Sequence, residues 1–214
     1  MNVTLIAHTP NPDYICGSAA AICTDYKGSP LQALQGAMKS GHESVAEHAS
    51  FTFHIEGVSR ALLTQITRHR MASFSVQSQR YVDMSGNGYV MPPSIAKGSE
   101  QAKTFDNAME IAWDFYERLV EMGIPKEDAR YVLPNACHTT MEVTMNAREL
   151  RHFFSLRCCN RAQWEIRALA DEMLRLCREK APVLFSDAGP GCVRGHCPEG
   201  KRACGNPRSK PLGL

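Results

Sequence analysis

Between residues 50 and 56 every second side chain is apolar: Phe51, Phe53 and Ile55 share one side, Thr52, His54 and Glu56 the other. A period of two predicts a half-buried strand. Residues 2–9 alternate more weakly and residues 139–145 alternate cleanly, so both are also read as strands. Elsewhere the spacing is helical. Ala102, Phe105, Met109, Ala112, Tyr116 and Leu119 recur every three or four positions, an apolar stripe that predicts a helix over 99–122. Ser29-Pro30 opens a second helix, since serine caps and proline suits the first turn, and Gly41 stops it. Ser59 caps a third, running to about Arg68. Pro125 begins a short helix that Leu133-Pro134 ends. Asn146 caps the helix after the last strand, and a final helix covers 160–180 before Pro182. Residues 79–91 read as two short strands joined around Ser85-Gly86-Asn87-Gly88. The pattern is mixed α and β, helix-dominated, without regular βαβ alternation and without internal repeats.

Composition changes this picture little. The 214 residues are 43% hydrophobic and 21% charged, as in an ordinary soluble globular protein long enough for a substantial core. A net charge of +2 gives no bulk signal for nucleic-acid binding. No run approaches the roughly 18 consecutive apolar residues that a membrane span needs. Residues 1–21 lack a basic leader and are interrupted by Asn11-Pro12-Asp13, so no secretory signal is expected. The nine cysteines are accordingly read as reduced thiols of a cytoplasmic protein.

The placement of the cations says more than their sum. Arg68-His69-Arg70 lies at the end of a predicted helix, followed by Ser73, Ser75, Ser78, Arg80 and Tyr81. On a helix, positions two apart point to nearly opposite sides, so the segment could serve two ligands, or a ligand and a neighbouring subunit. Arginine forks grip phosphate in a bidentate way and serine hydroxyls add short contacts. The alternative is a solvated basic helix end paired with surface carboxylates.

The wider string narrows the choice. R-H-R, seven residues, then Ser resembles the signature of the flavin-dependent thymidylate synthases, the ThyX family, here Arg68-His69-Arg70 closing at Ser78 and continuing through Gln79-Arg80-Tyr81. Gly41-His42-Glu43-Ser44-Val45-Ala46-Glu47-His48 is similar to the family's G-H-x-[ST]-x-x-E-H segment. Ala129-Arg130-Tyr131-Val132-Leu133-Pro134, Thr144-Met145-Asn146-Ala147-Arg148-Glu149-Leu150, Leu156-Arg157 and Ala162-Gln163-Trp164-Glu165-Ile166 resemble further family blocks. The resemblance covers nearly all of residues 1–185, taken as the catalytic domain, and leaves 186–214 as a tail.

That resemblance implies an α+β fold with a small, mostly antiparallel sheet, and a homotetramer whose active sites lie at subunit interfaces. It implies reductive methylation of dUMP to dTMP, with FAD as cofactor and NADPH and methylenetetrahydrofolate as co-substrates. Gln65, Arg68, Val76, Gln77, Ser78, Gln79, Arg80, Arg130 and Arg157 match dUMP-binding positions, Arg130 from a neighbouring chain and Val76 by backbone. His42, Ser44, Glu47, Arg68, His69, Arg70, Asn146, Arg148, His152 and Leu156 match FAD-binding positions. Arg157, placed at the uracil ring, and His42 are the implied catalytic candidates. Helical spacing separately puts Arg148, His152 and Leu156 on one side, and Leu150, Phe153 and Arg157 on another.

Other chemistries are weaker. His48 stands six residues after His42, so the H-E-x-x-H spacing of a zinc protease is missing; a structural hydrogen bond under the sheet is the simpler role for it. Gly189, Gly191 and Gly195 miss the dinucleotide fingerprint. No catalytic metal, nucleic-acid or membrane partner is expected. Cys192, His196, Cys197 and Cys204 could form a small structural zinc site, with Cys158 or Cys159. Competing readings are a nucleic-acid module and a transferase with Cys137 or Cys159 as nucleophile; Cys137, Cys158 and Cys159 are more simply core thiols.

Overall fold

A computed structural model describes residues 1–95, 97–195 and 197–208. Four strands form one antiparallel sheet in the order β1-β2-β4-β3: β1 (Asn2–His8), β2 (Ser50–Ser59), β3 (Ala72–Val76) and β4 (His138–Asn146). The helices are α1 (Pro12–Thr24), α2 (Pro30–Lys39), α3 (Arg60–Ile66), α4 (Glu100–Glu121), α5 (Lys126–Ala129), α6 (Ala147–Arg157) and α7 (Trp164–Lys180). The small-sheet, helix-rich α+β class expected from sequence is the one observed.

The chain divides into two compact units. The first holds residues 1–2, 55–65 and 75–141. Its core gathers along α4, where Met109, Trp113 and Tyr116 are buried together with Met84, Ala129 and Cys137. Ser99 caps α4 through Ala102 N–H at 3.2 Å, at the start expected for that helix, and Ser59 Oγ accepts from Leu62 N–H at 3.0 Å to start α3, the cap the sequence places there. Residues 79–91 do not form the expected pair of strands. They run in turns, with one antiparallel bridge between Tyr89 and Cys137. Met84 is drawn into the core instead: its N–H donates to Tyr116 Oη at 3.2 Å and its carbonyl accepts from Trp113 Nε1 at 2.8 Å. Those two side-chain bonds take the backbone groups a ladder would have used.

The second unit holds the described residues among 3–54, 66–74 and 142–208. The alternation in β2 is realised as expected, with Phe51 and Phe53 fully buried and Thr52 and His54 partly exposed. Phe51, Phe153, Phe154 and Phe185 pack edge to face at centroid distances of 5.4 to 5.9 Å. The buried Asp13 carboxylate accepts from the N–H groups of Val183 and Leu184 at 2.9 Å each, tying α1 to the chain after α7; burial raises its pKa, and these bonds oppose the shift. Helix α1 itself was not expected. Its first residue follows Asn11 in a left-handed conformation with no side-chain cap, and Gly17 sits at its centre.

Candidate active site

Helix α6 is the scaffold of the site. Asn146 ends β4 and caps α6, its Oδ1 accepting from Glu149 N–H at 2.9 Å. Arg148, His152 and Leu156 are all exposed, while Leu150 and Phe153 are buried, as the helical spacing requires. Beside α6 runs a short 3₁₀ turn, Glu43–His48, that carries Ser44 and Glu47 and follows His42; His42, Ser44 and Glu47 are all exposed. Two arginines tie the turn to α6. Arg148 pairs with Glu47 at the surface. Arg151, only 3% exposed, donates to Glu43 Oε1 at 3.1 Å, to Asp187 Oδ1 at 2.7 Å and to Leu184 O at 2.6 Å. Burial raises the Asp187 pKa, but the hydrogen bond and charge of Arg151 outweigh it and leave the pKa below the usual carboxylate value. Sequence reasoning missed Arg151. An arginine inside an apolar helical stripe was the available signal. His48 is exposed, which removes the structural role expected for it under the sheet.

Arg68-His69-Arg70 lies beyond α3, which ends at Ile66, so these residues are not helical and the argument for opposite faces does not hold. Arg68 and Arg70 are exposed and His69 is buried between them at 4% exposure. The His69 ring is engaged at both nitrogens. Nδ1 lies 2.9 Å from Glu149 Oε1, and Nε2 accepts from Arg157 Nε–H at 3.1 Å. The His152 ring lies tilted to it at a centroid distance of 5.8 Å and the Phe153 ring meets it edge to face at 5.0 Å. Burial, the first cause, lowers the His69 pKa; Arg157 adds to this and Glu149 opposes it. Burial and the nearby charge of Arg68 likewise lower the pKa of Arg157. The fold thus brings Arg68, His69, His152 and Arg157 together. Residues 72–76, read as part of an anion-binding loop, are instead β3, with Ser73 and Ser75 exposed and Ala72, Phe74 and Val76 half-buried.

The remaining substrate candidates lie in the first unit. Val76, Gln77 and Ser78 are half-buried at and just after the end of β3. Ser78 Oγ accepts from Arg80 N–H at 3.2 Å. Arg80 Nε donates to Glu127 Oε2 at 2.7 Å, and Arg130 Nε donates to the Glu127 carbonyl at 3.0 Å, so two arginines matched to dUMP-binding positions meet at one residue. Gln79 is buried and donates to Cys137 Sγ at 3.6 Å. Gln65 reaches back to Ala61 O at 3.4 Å. Arg60, which sequence reasoning passed over, adds a third guanidinium: burial lowers its pKa and the Arg130 charge contributes.

Cys192, Cys197 and Cys204 of the tail line one cavity of about 610 Å³ together with Cys159, just after α6. His196, part of the suggested zinc set, lies outside the described residues. Among the described residues no three His, Cys, Asp or Glu side chains are grouped to hold a metal ion. Cys158 is fully buried, and burial together with Asp171 raises its pKa strongly.

Comparison with known proteins fits this arrangement. The model of the thymidylate synthase complementing protein family matches residues 4–183. The flavin-dependent thymidylate synthase of Geobacter sulfurreducens is 52% identical over 218 residues, covering 96% of this chain and 94% of the relative. That of Clostridium tetani is 44% identical over 232 residues, covering 96% and 93%. Among solved structures, the UMP/dUMP methylase PolB of Streptomyces cacaoi, bound with 5-Br dUMP, superposes with a TM-score of 0.76 at 27% identity, covering 86% of this chain and 92% of that one. Fold and family model define the broad class, and the close relatives define the member: the chain belongs to the flavin-dependent thymidylate synthase family.

Proposed function

We propose that the protein methylates dUMP to dTMP, using FAD, methylenetetrahydrofolate and NADPH, as a homotetramer in the cytoplasm. The observation that carries this reading is Arg157, set at the end of α6 beside Arg68 and His69. A fixed guanidinium at the uracil ring stabilises negative charge as N3 ionises and makes C5 a better nucleophile. Arginine suits the task because it stays charged. The phosphate of dUMP is assigned to Arg68, Arg80 and Arg130, with Gln65, Val76, Gln77, Ser78 and Gln79 completing the substrate contacts. Arg130 is assigned to a site shared with a neighbouring chain.

The residues of the second unit suit FAD. Arg148, His152 and Leu156 on α6, with His42, Ser44 and Glu47 on the adjoining turn, offer a cation, polar donors and an apolar contact to solvent on neighbouring elements. Arg68, His69, Arg70 and Asn146 complete this set, and His42 stands as the second catalytic candidate. Bound FAD, reduced by NADPH, supplies the hydride, and the folate gives only the carbon. The protein's task is then positioning and charge stabilisation. Cys137 is disfavoured as a nucleophile, because burial raises its pKa and keeps it as a thiol. Residues 1–185 form the catalytic domain and 186–214 its tail, in keeping with a family match that ends at 183.

The test is direct. Purified protein incubated with FAD should turn yellow, its flavin spectrum should change on adding dUMP, and NADPH oxidation should require both dUMP and methylenetetrahydrofolate. Arg157→Ala should lower turnover by about 10²-fold or more while the flavin stays bound. Protein that cannot take up FAD refutes the proposal.

A further inference from the structure

Glu149, on α6, is a nearly buried polar group to which the reaction as described gives no role. Glu149 has its side chain 11% exposed and His69 only 3%. Glu149 Oε1 meets His69 Nδ1, and His69 Nε2 meets Arg157 Nε. Donor and acceptor roles in this chain follow from chemistry alone. An ionised carboxylate only accepts and a guanidinium only donates. The imidazole must therefore carry its proton on Nδ1, donate a hydrogen bond through it to Glu149, and present the Nε2 lone pair to Arg157.

Resting on the reading of Arg157 as the uracil-facing guanidinium, we propose that Glu149 and His69 are a positioning pair that fixes the neutral His69 tautomer and thereby aims Arg157 at the substrate. Committing Nε–H to a buried acceptor sets the plane of the guanidinium fork. The charged and titratable groups around the ring are Glu149, His152 and Arg157 from α6, with Arg68 and Arg70 flanking it in its own segment. Phe153 closes the ring edge. Protonating His69 would turn Nε2 into a donor facing another donor, beside a like charge, and release Arg157. Burial and Arg157 oppose that event; Glu149 is the group that favours it.

A purely structural pair and a positioning pair differ in how activity depends on pH. The experiment follows kcat and KM for dUMP from pH 5 to 9 with FAD-loaded enzyme. Wild type should show an acid limb governed by one proton. Glu149→Gln keeps the size and an acceptor oxygen but removes the charge, so the acid limb should move to lower pH, by about one unit. His69→Gln carries a group that does not titrate, so the limb should disappear, and kcat should fall by about 10- to 100-fold with a smaller change in KM. Nitrogen-detected NMR of the His69 ring in wild type supplies a readout independent of any variant, and should show the proton on Nδ1 at pH 7. An unmoved acid limb in both variants, or a ring protonated on Nε2 at pH 7, overturns the pair. Those results leave dUMP methylation by wild type intact, whereas wild type without dUMP-dependent turnover overturns the reading of Arg157 and the pair with it.

Discussion

Arg151 is nearly buried, yet its partners Glu43 and Asp187 are about a third to a half exposed, at 36% and 46%. Its contribution therefore comes less from ion pairing than from satisfying Leu184 O and joining three segments. Arg151→Ala leaves that carbonyl and the guanidinium's space unfilled, and should cost about 2–3 kcal/mol in urea unfolding. The pH dependence has a definite sign. Asp187 binds its proton less readily folded than unfolded, so its stabilisation is present above about pH 4 and is lost as pH falls through the lower folded value. His69 is also depressed; its neutral form is favoured above about pH 6.5, and stability declines as the unfolded histidine gains its proton below that. In Arg151→Ala the acid-side loss due to Asp187 should shrink while the histidine part remains. A denaturation series from pH 3 to 8 separates the two; an unchanged slope below pH 4 would show that Arg151 is not what depresses Asp187.

At the scale of elements, regular patterns were legible and irregular ones were not. The Ser59 and Asn146 caps, the α4 stripe and the β2 alternation each follow from local chemistry and appear where expected. Residues 79–91 carried good turn chemistry at Ser85-Gly86, but the bonds of Met84 to Trp113 and Tyr116 are long-range and leave no local trace. The motif at Arg68 was recognisable as a string, yet the burial of His69 between Glu149 and Arg157 depends on α6, eighty residues and more away. Helix α1 was hidden by Gly17, which reads as a helix breaker. Its role is spatial: a Cβ there would lie 2.2 Å from Pro30 O at the start of α2. Gly17→Ala gains about 1 kcal/mol of helix propensity, but overpacking against rigid backbone costs up to about 3 kcal/mol, so a net loss of about 2 kcal/mol is expected. Gly36→Ala in α2 meets nothing within 4 Å and should instead stabilise, by about 0.5–1 kcal/mol. Thermal melts of the two variants should move in opposite directions; equal shifts would mean that the α1–α2 approach is not close.

For the whole molecule, the proposal that active sites are shared between chains raises the question of which surface meets a second copy. On α4 the buried side is settled by Met109, Trp113 and Tyr116. A different side carries Ile111 and Phe115, continued by Met122 at the C-cap; they are 48%, 52% and 77% exposed. At about 100° per residue these three fall within about 40° of one another, a narrow apolar stripe facing solvent. Large apolar side chains aligned this way mark an association surface more readily than scattered ones do. Phe115→Glu combined with Met122→Glu adds charge to that stripe without touching the α4 core. Light scattering during gel filtration should then give a mass below that of the wild type, with the melting temperature of the first unit little changed. The flavin content of the same peak carries the second half of the argument. If active sites are built from more than one chain, the dissociated protein should lose FAD along with mass. A variant that keeps the wild-type mass excludes this stripe as the interface, and one that dissociates yet retains its flavin shows that each chain holds the cofactor alone.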